Sequence, residues 1–262
     1  MRASLSALLL WTVSPFVGVA VARGGQCNPG NLPQIIAHTG TPVGREETYD
    51  GAVGIPKIGL VYLTDVFGIP LVQNKLLADS FARAGFLVVT PDLFDGEPAP
   101  VDLDSPSFNF TDFNLKHNPT TVDPIVDVGV AYLAQRGVDA VVATGYCFGG
   151  RYAFRALAPG RGVDAAFAAH PSLLEDAEIA AITKPVSVAA AETDATMSPE
   201  RRQEIEELLA DTAQPYQINL YGGTSHGFGV RADVSDPEQK FGKESAFWQA
   251  VRWFHVWAGD AL

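Results

Sequence analysis

Short apolar runs alternate along the chain with stretches of helical spacing, and this alternation indicates the fold class. Apolar runs with few polar interruptions are typical of strands that are covered on both faces. The predicted strands are 58–64, 85–90, 140–144, 165–169, 186–191 and 216–221, and the predicted helices are 76–84, 125–135, 151–157, 198–209 and 245–257. Strands that alternate with helices favour a mostly parallel sheet with helices on both faces.

The stretch 92–123 interrupts this alternation, because it is rich in proline and aspartate. It predicts a loop with little regular structure. Loops of this length are uncommon in compact domains unless they serve a function, so we expect a functional loop or a lid.

Residues 1–22 have the pattern of a cleaved secretory leader. An apolar stretch covers 5–21, and Ala20 and Ala22 give the small-x-small pattern of a signal-peptidase site. The alternative is a membrane anchor, since the stretch approaches the spanning length of roughly 20 residues. Pro15 and Gly18 weaken its helical tendency, and no later stretch of the sequence has comparable length and apolarity. We therefore expect cleavage.

Cleavage leaves a single domain, 23–262, which is secreted or lies in the secretory pathway and has no stable membrane association. The tripeptide Asn-Phe-Thr makes Asn109 a candidate N-glycosylation site. Such tripeptides are frequent, so the sequon adds only weak support for secretion.

Charge and cysteine content exclude several classes of protein. The 262 residues carry 30 Asp and Glu against 18 Lys and Arg, a net charge of −12, which disfavours nucleic acid as a partner. The two cysteines, Cys27 and Cys147, are too few for a disulfide framework or a multi-cysteine zinc module. The histidines are dispersed, so the sequence predicts no metal and no cofactor.

The segment 145–149, Gly-Tyr-Cys-Phe-Gly, follows one predicted strand directly and precedes a predicted helix. It has the form of a nucleophile elbow in which cysteine, Cys147, replaces serine. The positive end of the helix favours a thiolate, and the Phe148 N–H points toward a developing oxyanion. A dinucleotide loop is the competing interpretation, but Cys147 occupies the middle glycine position of its motif. A buried structural cysteine is the other alternative.

A thiol nucleophile needs a base and a group that orients the base. In hydrolases with a nucleophile elbow, the acid and then the histidine follow the nucleophile along the chain. His226 lies in a glycine-rich loop after the last predicted strand and is the favoured base, with His170 as the alternative. Asp194 is preferred over Glu192 as the acid, because it lies further into the loop after strand 186–191.

The segment 145–150, Asp194 and the segment 225–228 together resemble the dienelactone hydrolase family. From about residue 36 onward the chain looks like an α/β-hydrolase. The resemblance implies a Cys147–His226–Asp194 triad, no metal, and attack of the cysteine on an ester or lactone carbonyl. It also implies that the backbone N–H of Val66 is a second oxyanion donor.

Two positions depart from the bacterial pattern of that family. Asp65 stands where those enzymes have a glutamate that helps to generate the thiolate, and it is a candidate auxiliary acid. Asp95 stands where they have an arginine that binds the substrate carboxylate. Arg231, after the histidine loop, is a candidate for binding an acidic group instead. The pattern is closer to fungal members.

The expected activity is hydrolysis of a small-molecule ester or lactone through an acyl-enzyme. One alternative is a hydrolase of a secondary-metabolite pathway that acts on a thioester or polyketide lactone, and another is a non-catalytic binding protein with the hydrolase fold. If Cys147 is the nucleophile, it stays a free thiol and Cys27 has no partner within the chain. A reactive thiol in an oxidising compartment is open to oxidation, so either the pocket shields the thiol or the leader does not direct the protein to that compartment.

Overall fold

The computed structural model describes residues 17–21, 35–42 and 57–259. Its strands are β1 (Val17–Val21), β2 (Ile58–Leu63), β3 (Leu87–Pro91), β4 (Ala140–Tyr146), β5 (Ala165–Ala169), β6 (Val186–Thr193) and β7 (Tyr216–Ser225). They form one sheet in the order β1-β3-β2-β4-β5-β6-β7. β2 through β7 are parallel and β1 is antiparallel to β3. The predicted mostly parallel sheet is confirmed.

The helices of the described residues lie between and after these strands. They are α1 (Val72–Arg83), α2 (Phe110–Lys116), α3 (Pro119–Gln135), α4 (Phe148–Arg155), α5 (Asp176–Ala180), α6 (Pro199–Asp211), α7 (Phe228–Arg231) and α8 (Pro237–Trp257). α1, α3 and α8 each begin several residues before the start that the apolar spacing predicted, because their first turns are largely polar. Asn118 caps α3 by accepting from the Thr120 N–H at 2.8 Å.

The prediction of an irregular loop over 92–123 is wrong for its second half, which contains α2 and the start of α3. The Asn109 side chain begins α2 by accepting from the backbone N–H of Thr111 and Asp112. Phe113 anchors the helix to the core, with its ring centroid 5.3 Å from that of Phe94. The high Pro and Asp content concealed this helix, since both residues have low helix propensity but favour helix starts.

Each face of the sheet carries its own apolar core. Alternate residues of β2 divide between them, with Leu60 and Tyr62 on one face and Val61 and Leu63 on the other. The first face packs against α1 and α8, and the second packs against α3 and α4. Burial on both faces explains why the central strands are almost continuously apolar.

β1 lies inside the segment predicted to be a leader. It pairs with β3 from Val17 opposite Pro91 to Val21 opposite Leu87 and covers one edge of the sheet. The rest of the predicted leader and Cys27 lie outside the described residues. Within the part of the chain that the structure describes, no helix combines the length and apolarity needed to cross a bilayer.

Candidate active site

Cys147 lies at the sharp turn between β4 and α4, which begins at the next residue. Its backbone has φ 51° and ψ −114°, a strained conformation for a residue other than glycine. The flanking glycines permit close backbone contacts there. A Cβ on Gly145 would collide with the carbonyl oxygen of Gly149, and one on Gly149 would collide with that of Leu63. The sulfur is therefore presented at a helix N-terminus by a turn that needs both glycines.

His226 places a ring nitrogen against this sulfur. Its Nε2 lies 3.1 Å from Cys147 Sγ, and Cys147 is a buried free thiol. The residue follows the end of β7, and its backbone N–H donates to the carbonyl oxygen of Thr193 at 3.0 Å. Burial by itself lowers the pKa of His226, but the bonds to Asp194 and Cys147 outweigh it and raise the pKa to about 10. The two contacts therefore favour a positively charged imidazolium on His226 at neutral pH.

Asp194 binds the other ring nitrogen of His226, with Oδ2 2.8 Å from Nδ1. Its Oδ1 accepts from the backbone N–H groups of Thr196 and Met197 and from the Thr196 hydroxyl. Burial would raise the pKa of this carboxyl, but the bonds from His226 and Thr196 keep it below its usual value. The carboxylate is thus ionised, buried and fixed toward the imidazole.

The alternative base, His170, and the alternative acid, Glu192, make different contacts from His226 and Asp194. His170 is fully buried, its ring centroid is 5.0 Å from that of His226, and neither ring nitrogen has a hydrogen-bond partner among the described residues. Burial keeps the pKa of His170 well below its ordinary value. Glu192 is exposed and accepts from the Gly223 N–H at 2.8 Å. The contacts thus favour His226 and Asp194.

The loop after β2 packs directly against the start of α4. The Gly149 N–H donates to the Thr64 carbonyl at 3.1 Å, so the loop that carries Val66 meets the turn that carries Phe148. Among the described residues, no group of three or more His, Cys, Asp or Glu side chains is arranged to hold a metal ion.

Asp65, the candidate auxiliary acid, has hydrogen-bond partners other than Cys147 among the described residues. Its Oδ2 accepts from Arg231 Nε at 3.2 Å, and its Oδ1 accepts from Asn74 Nδ2 and the Phe67 N–H. Burial raises the pKa of Asp65 in spite of these bonds. Arg231 lies over the Phe67 ring, 4.7 Å from its centroid, with about a third of its side chain exposed. Asp65 therefore anchors the loop and holds Arg231 at its edge.

Asn74 joins this loop to α1, and its replacement tests the anchor. Nδ2 donates to Asp65 and to the Gly68 carbonyl, and Oδ1 accepts from the Tyr62 hydroxyl. Asn74→Leu leaves buried polar groups without partners, so we expect the free energy of unfolding to fall by about 2–4 kcal/mol. Urea denaturation measures it.

Gln73→Leu is the matched control, because Gln73 is an exposed amide on the same helix. We expect its effect to stay within about 0.5 kcal/mol. Equal effects of the two substitutions would show that the Asn74 bonds do not stabilise the loop.

Sequence reasoning missed three side chains of the site, Ser172, Thr196 and Asn74. Ser172 Oγ lies 3.5 Å from Cys147 Sγ, and Thr196 Oγ1 lies 3.3 Å from His226 Nδ1. Ser172 and Thr196 follow the carboxyl ends of β5 and β6, which lie at the same edge of the sheet as Cys147. Ligands usually bind at this edge of an open parallel sheet, so the position of both residues directly after predicted strands was the signal that could have identified them.

A nucleophile-elbow turn on a mostly parallel sheet with helices on both faces defines an α/β-hydrolase. The model of the dienelactone hydrolase family matches residues 48–257, so the chain belongs to that family and is a hydrolase. Asn109 lies on the surface at the start of α2, remote in the chain from the triad candidates.

Similarity to individual proteins agrees with this assignment. The chain is 44% identical to hydrolase pyvD of Aspergillus violaceofuscus over 197 residues, which is 75% of this chain and 80% of that protein. It is 40% identical to hydrolase tropI of Talaromyces stipitatus over 205 residues, with the same two coverages. A Klebsiella pneumoniae crystal structure, solved as a candidate dienelactone hydrolase, shares the fold with a TM-score of 0.66 and 20% identity, over 79% of this chain and 90% of that chain.

Proposed function

We propose that this hydrolase cleaves small-molecule esters or lactones with Cys147 as nucleophile, His226 as acid and base, and Asp194 as the group that orients the imidazole. The observation that supports it is one continuous line of contacts, 3.1 Å from Sγ to Nε2 and 2.8 Å from Nδ1 to Oδ2. The line begins at a helix N-terminus, where a thiolate is favoured.

In acylation, the Cys147 thiolate forms a bond to the carbonyl carbon, and the carbonyl π electrons move to oxygen. The N–H groups of Phe148 and Val66 stabilise this oxyanion, and loss of such a donor costs about 3–4 kcal/mol in comparable sites. The bond to the alkoxide then breaks. His226 Nε2 gives its proton to the departing oxygen, which leaves a thioester on Cys147 and a neutral imidazole.

In deacylation, the neutral His226 takes a proton from water, and the resulting hydroxide attacks the thioester carbon. The carbon–sulfur bond breaks with its electron pair on sulfur, so the acid is released and the imidazolium–thiolate pair is restored. Asp194 holds one tautomer throughout and stabilises the positive charge on His226. The cycle consumes one water and needs no other reactant.

A substrate panel tests this proposal with purified protein. It contains aryl esters, alkyl esters, lactones and thioesters, each with and without a carboxylate, because Arg231 keeps about a third of its side chain exposed and lies against Gly227, the neighbour of His226. We expect turnover of at least one ester or lactone that Cys147→Ala lacks. A folded protein without turnover on any substrate would favour the alternative of a non-catalytic binding protein.

The thioesters and macrocyclic lactones in the panel address a narrower candidate, a secondary-metabolite hydrolase that acts on a thioester or polyketide lactone. The similarity to two fungal hydrolases over most of both chains favours including it. A preference of at least about 100-fold in kcat/KM for these substrates would support it.

The raised pKa of His226 gives a pH prediction. The imidazolium persists until the pH approaches about 10, so we expect hydrolysis of an alkyl ester, whose leaving group needs a proton, to fall as the pH rises through that value. An aryl ester is the control, because an aryl oxide leaves unprotonated and its acylation keeps no such limb. Burst rates of acylation, corrected for the non-enzymatic reaction, measure both. Parallel alkaline limbs would contradict the role of His226 as acid.

The same proton also links stability to pH. The folded-state pKa of His226 lies above its ordinary value of 6.5. The bonds of His226 to Asp194 and Cys147 therefore contribute their full stabilisation of the fold below pH 6.5, and this stabilisation is lost as the pH rises through about 10.

We also propose that the chain enters the secretory pathway through residues 1–22 and carries a glycan at Asn109. The apolar leader and the exposed Asn109 support this. N-terminal sequencing of the mature protein tests the cleavage, and we expect the protein to start at about residue 23. A retained N-terminus would instead fit β1 as a permanent edge strand of the sheet.

A further inference from the structure

Ser172 lies in the loop that follows β5 and makes two contacts with Cys147. Its hydroxyl oxygen is 3.5 Å from the Cys147 sulfur, and its backbone N–H donates to the Cys147 carbonyl at 3.1 Å. The residue is 7% exposed, as is Cys147. A buried hydroxyl needs a hydrogen-bond partner. In the part of the chain that the structure describes, the partner of this one is the sulfur.

The loop around Ser172 is held in a conformation that its own residues disfavour. His170 and Leu173 have φ values of 38° and 58°, in the left-handed region that favours glycine. Such strain persists where the surroundings enforce it, and it is common at functional sites. The His170 N–H donates to the Ala189 carbonyl at 2.8 Å, and Pro171 packs so closely on Gly150 that a Cβ there would collide with it. The fold thus fixes the Ser172 hydroxyl beside the sulfur.

We propose that Ser172 is a positioning residue whose hydroxyl donates a hydrogen bond to the Cys147 thiolate, in addition to the one from His226. This inference rests on the proposed role of Cys147. A thiolate carries no proton, so in this state the hydroxyl can act only as the donor. A thioester sulfur accepts hydrogen bonds poorly, so the bond weakens on acylation. The hydrogen bond from Ser172 forms again as the carbon–sulfur bond breaks and the thiolate is released. Ser172 therefore favours deacylation.

The other titratable or charged groups around the site come from several elements and remain unchanged in the test. They are His226 after β7, Asp194 after β6, His170 after β5, and the Asp65–Arg231 pair that joins the loop after β2 to α7. A substitution at Ser172 alters none of their charges. A changed pH dependence of the thiolate is therefore attributable to the lost hydroxyl.

The test measures the rate of iodoacetamide alkylation of Cys147 against pH in the full chain, by peptide mass mapping. In Ser172→Ala we expect the pH midpoint of alkylation to rise, with a rate about tenfold lower on the acid side. Above the midpoint we also expect kcat and KM to fall by similar factors, because slower deacylation makes the acyl-enzyme accumulate. Ser187→Ala is the matched control, because Ser187 is a fully buried serine whose hydroxyl accepts from Gln249 Nε2.

Ser172→Thr and Ser172→Val keep the inference testable if alanine impairs folding, since these two side chains have the same shape and differ in the hydroxyl. We expect the threonine variant to keep the wild-type midpoint and the valine variant to shift. Equal midpoints in these two variants, or a wild-type midpoint in a folded Ser172→Ala, would overturn the inference while Cys147→Ala stays inactive. Full activity of Cys147→Ala would instead overturn the proposed function.

Discussion

Cys147→Ala is expected to reduce ester hydrolysis by roughly 10⁴-fold or more, which leaves only the rate supplied by substrate binding and the oxyanion donors. The reason is that, among the described residues, the hydrogen-bond partner of His226 Nε2 is the Cys147 sulfur. Alanine puts no nucleophilic atom in its place. The variant should keep its fold, because removing one buried sulfur atom opens only a small space. Steady-state assays and thermal melts of the two proteins measure these effects.

Cys27→Ala is the matched control, since Cys27 is the only other cysteine of the chain. We expect its activity to equal that of the wild type, and we expect iodoacetamide to inactivate both at the same rate. Non-reducing peptide mapping adds a direct check. A Cys27–Cys147 disulfide in active protein, or substantial turnover by Cys147→Ala, would refute the assignment of the nucleophile.

Asp194→Asn is expected to lower kcat by about 10³- to 10⁴-fold, with little change in KM. The amide preserves shape but removes the charge that raises the pKa of His226, and an amide N–H facing Nδ1 favours the wrong tautomer. Since Thr196 and Met197 also bond to this carboxylate, a small loss of stability should accompany the loss of activity. Rates and melting temperatures separate the two effects.

Glu192→Gln is the control for charge, because Glu192 lies two residues earlier and contacts Gly223 rather than His226. We expect its activity to stay within about twofold of the wild type. A larger loss in Glu192→Gln than in Asp194→Asn would reverse the choice of acid.

The sequence predicted the central sheet well because its strands are buried on both faces. The runs at 58–64 and 165–169 correspond closely to β2 and β5. Helix starts were predicted less well, since apolar spacing says nothing about a polar first turn. The better signal was a capping residue before proline, as in Asn118-Pro119 and Asp236-Pro237. β1 could not be predicted, because its composition suits a leader equally well.

Within the candidate site, residues in local sequence patterns were predicted and residues brought there by the fold were not. Cys147 stands in a motif, and His226 and Asp194 follow from chain order. Ser172 and Asn74 lie near the site only because β5 neighbours β4 and α1 packs beside the loop after β2. The bond between Asp65 and Arg231 could not be predicted for the same reason, since Arg231 lies far away in the chain and only the fold brings it to the carboxylate.

The central claim is that the reaction passes through a thioester on Cys147, and trapping this intermediate tests it most directly. Wild-type protein is mixed with an activated ester, quenched in acid within the first turnover, digested and analysed by mass spectrometry. We predict an acyl group on the Cys147 peptide, formed at the rate of the burst and absent from Cys147→Ala. Turnover without an acyl group on that peptide, or an acyl group on Ser172, would contradict the account.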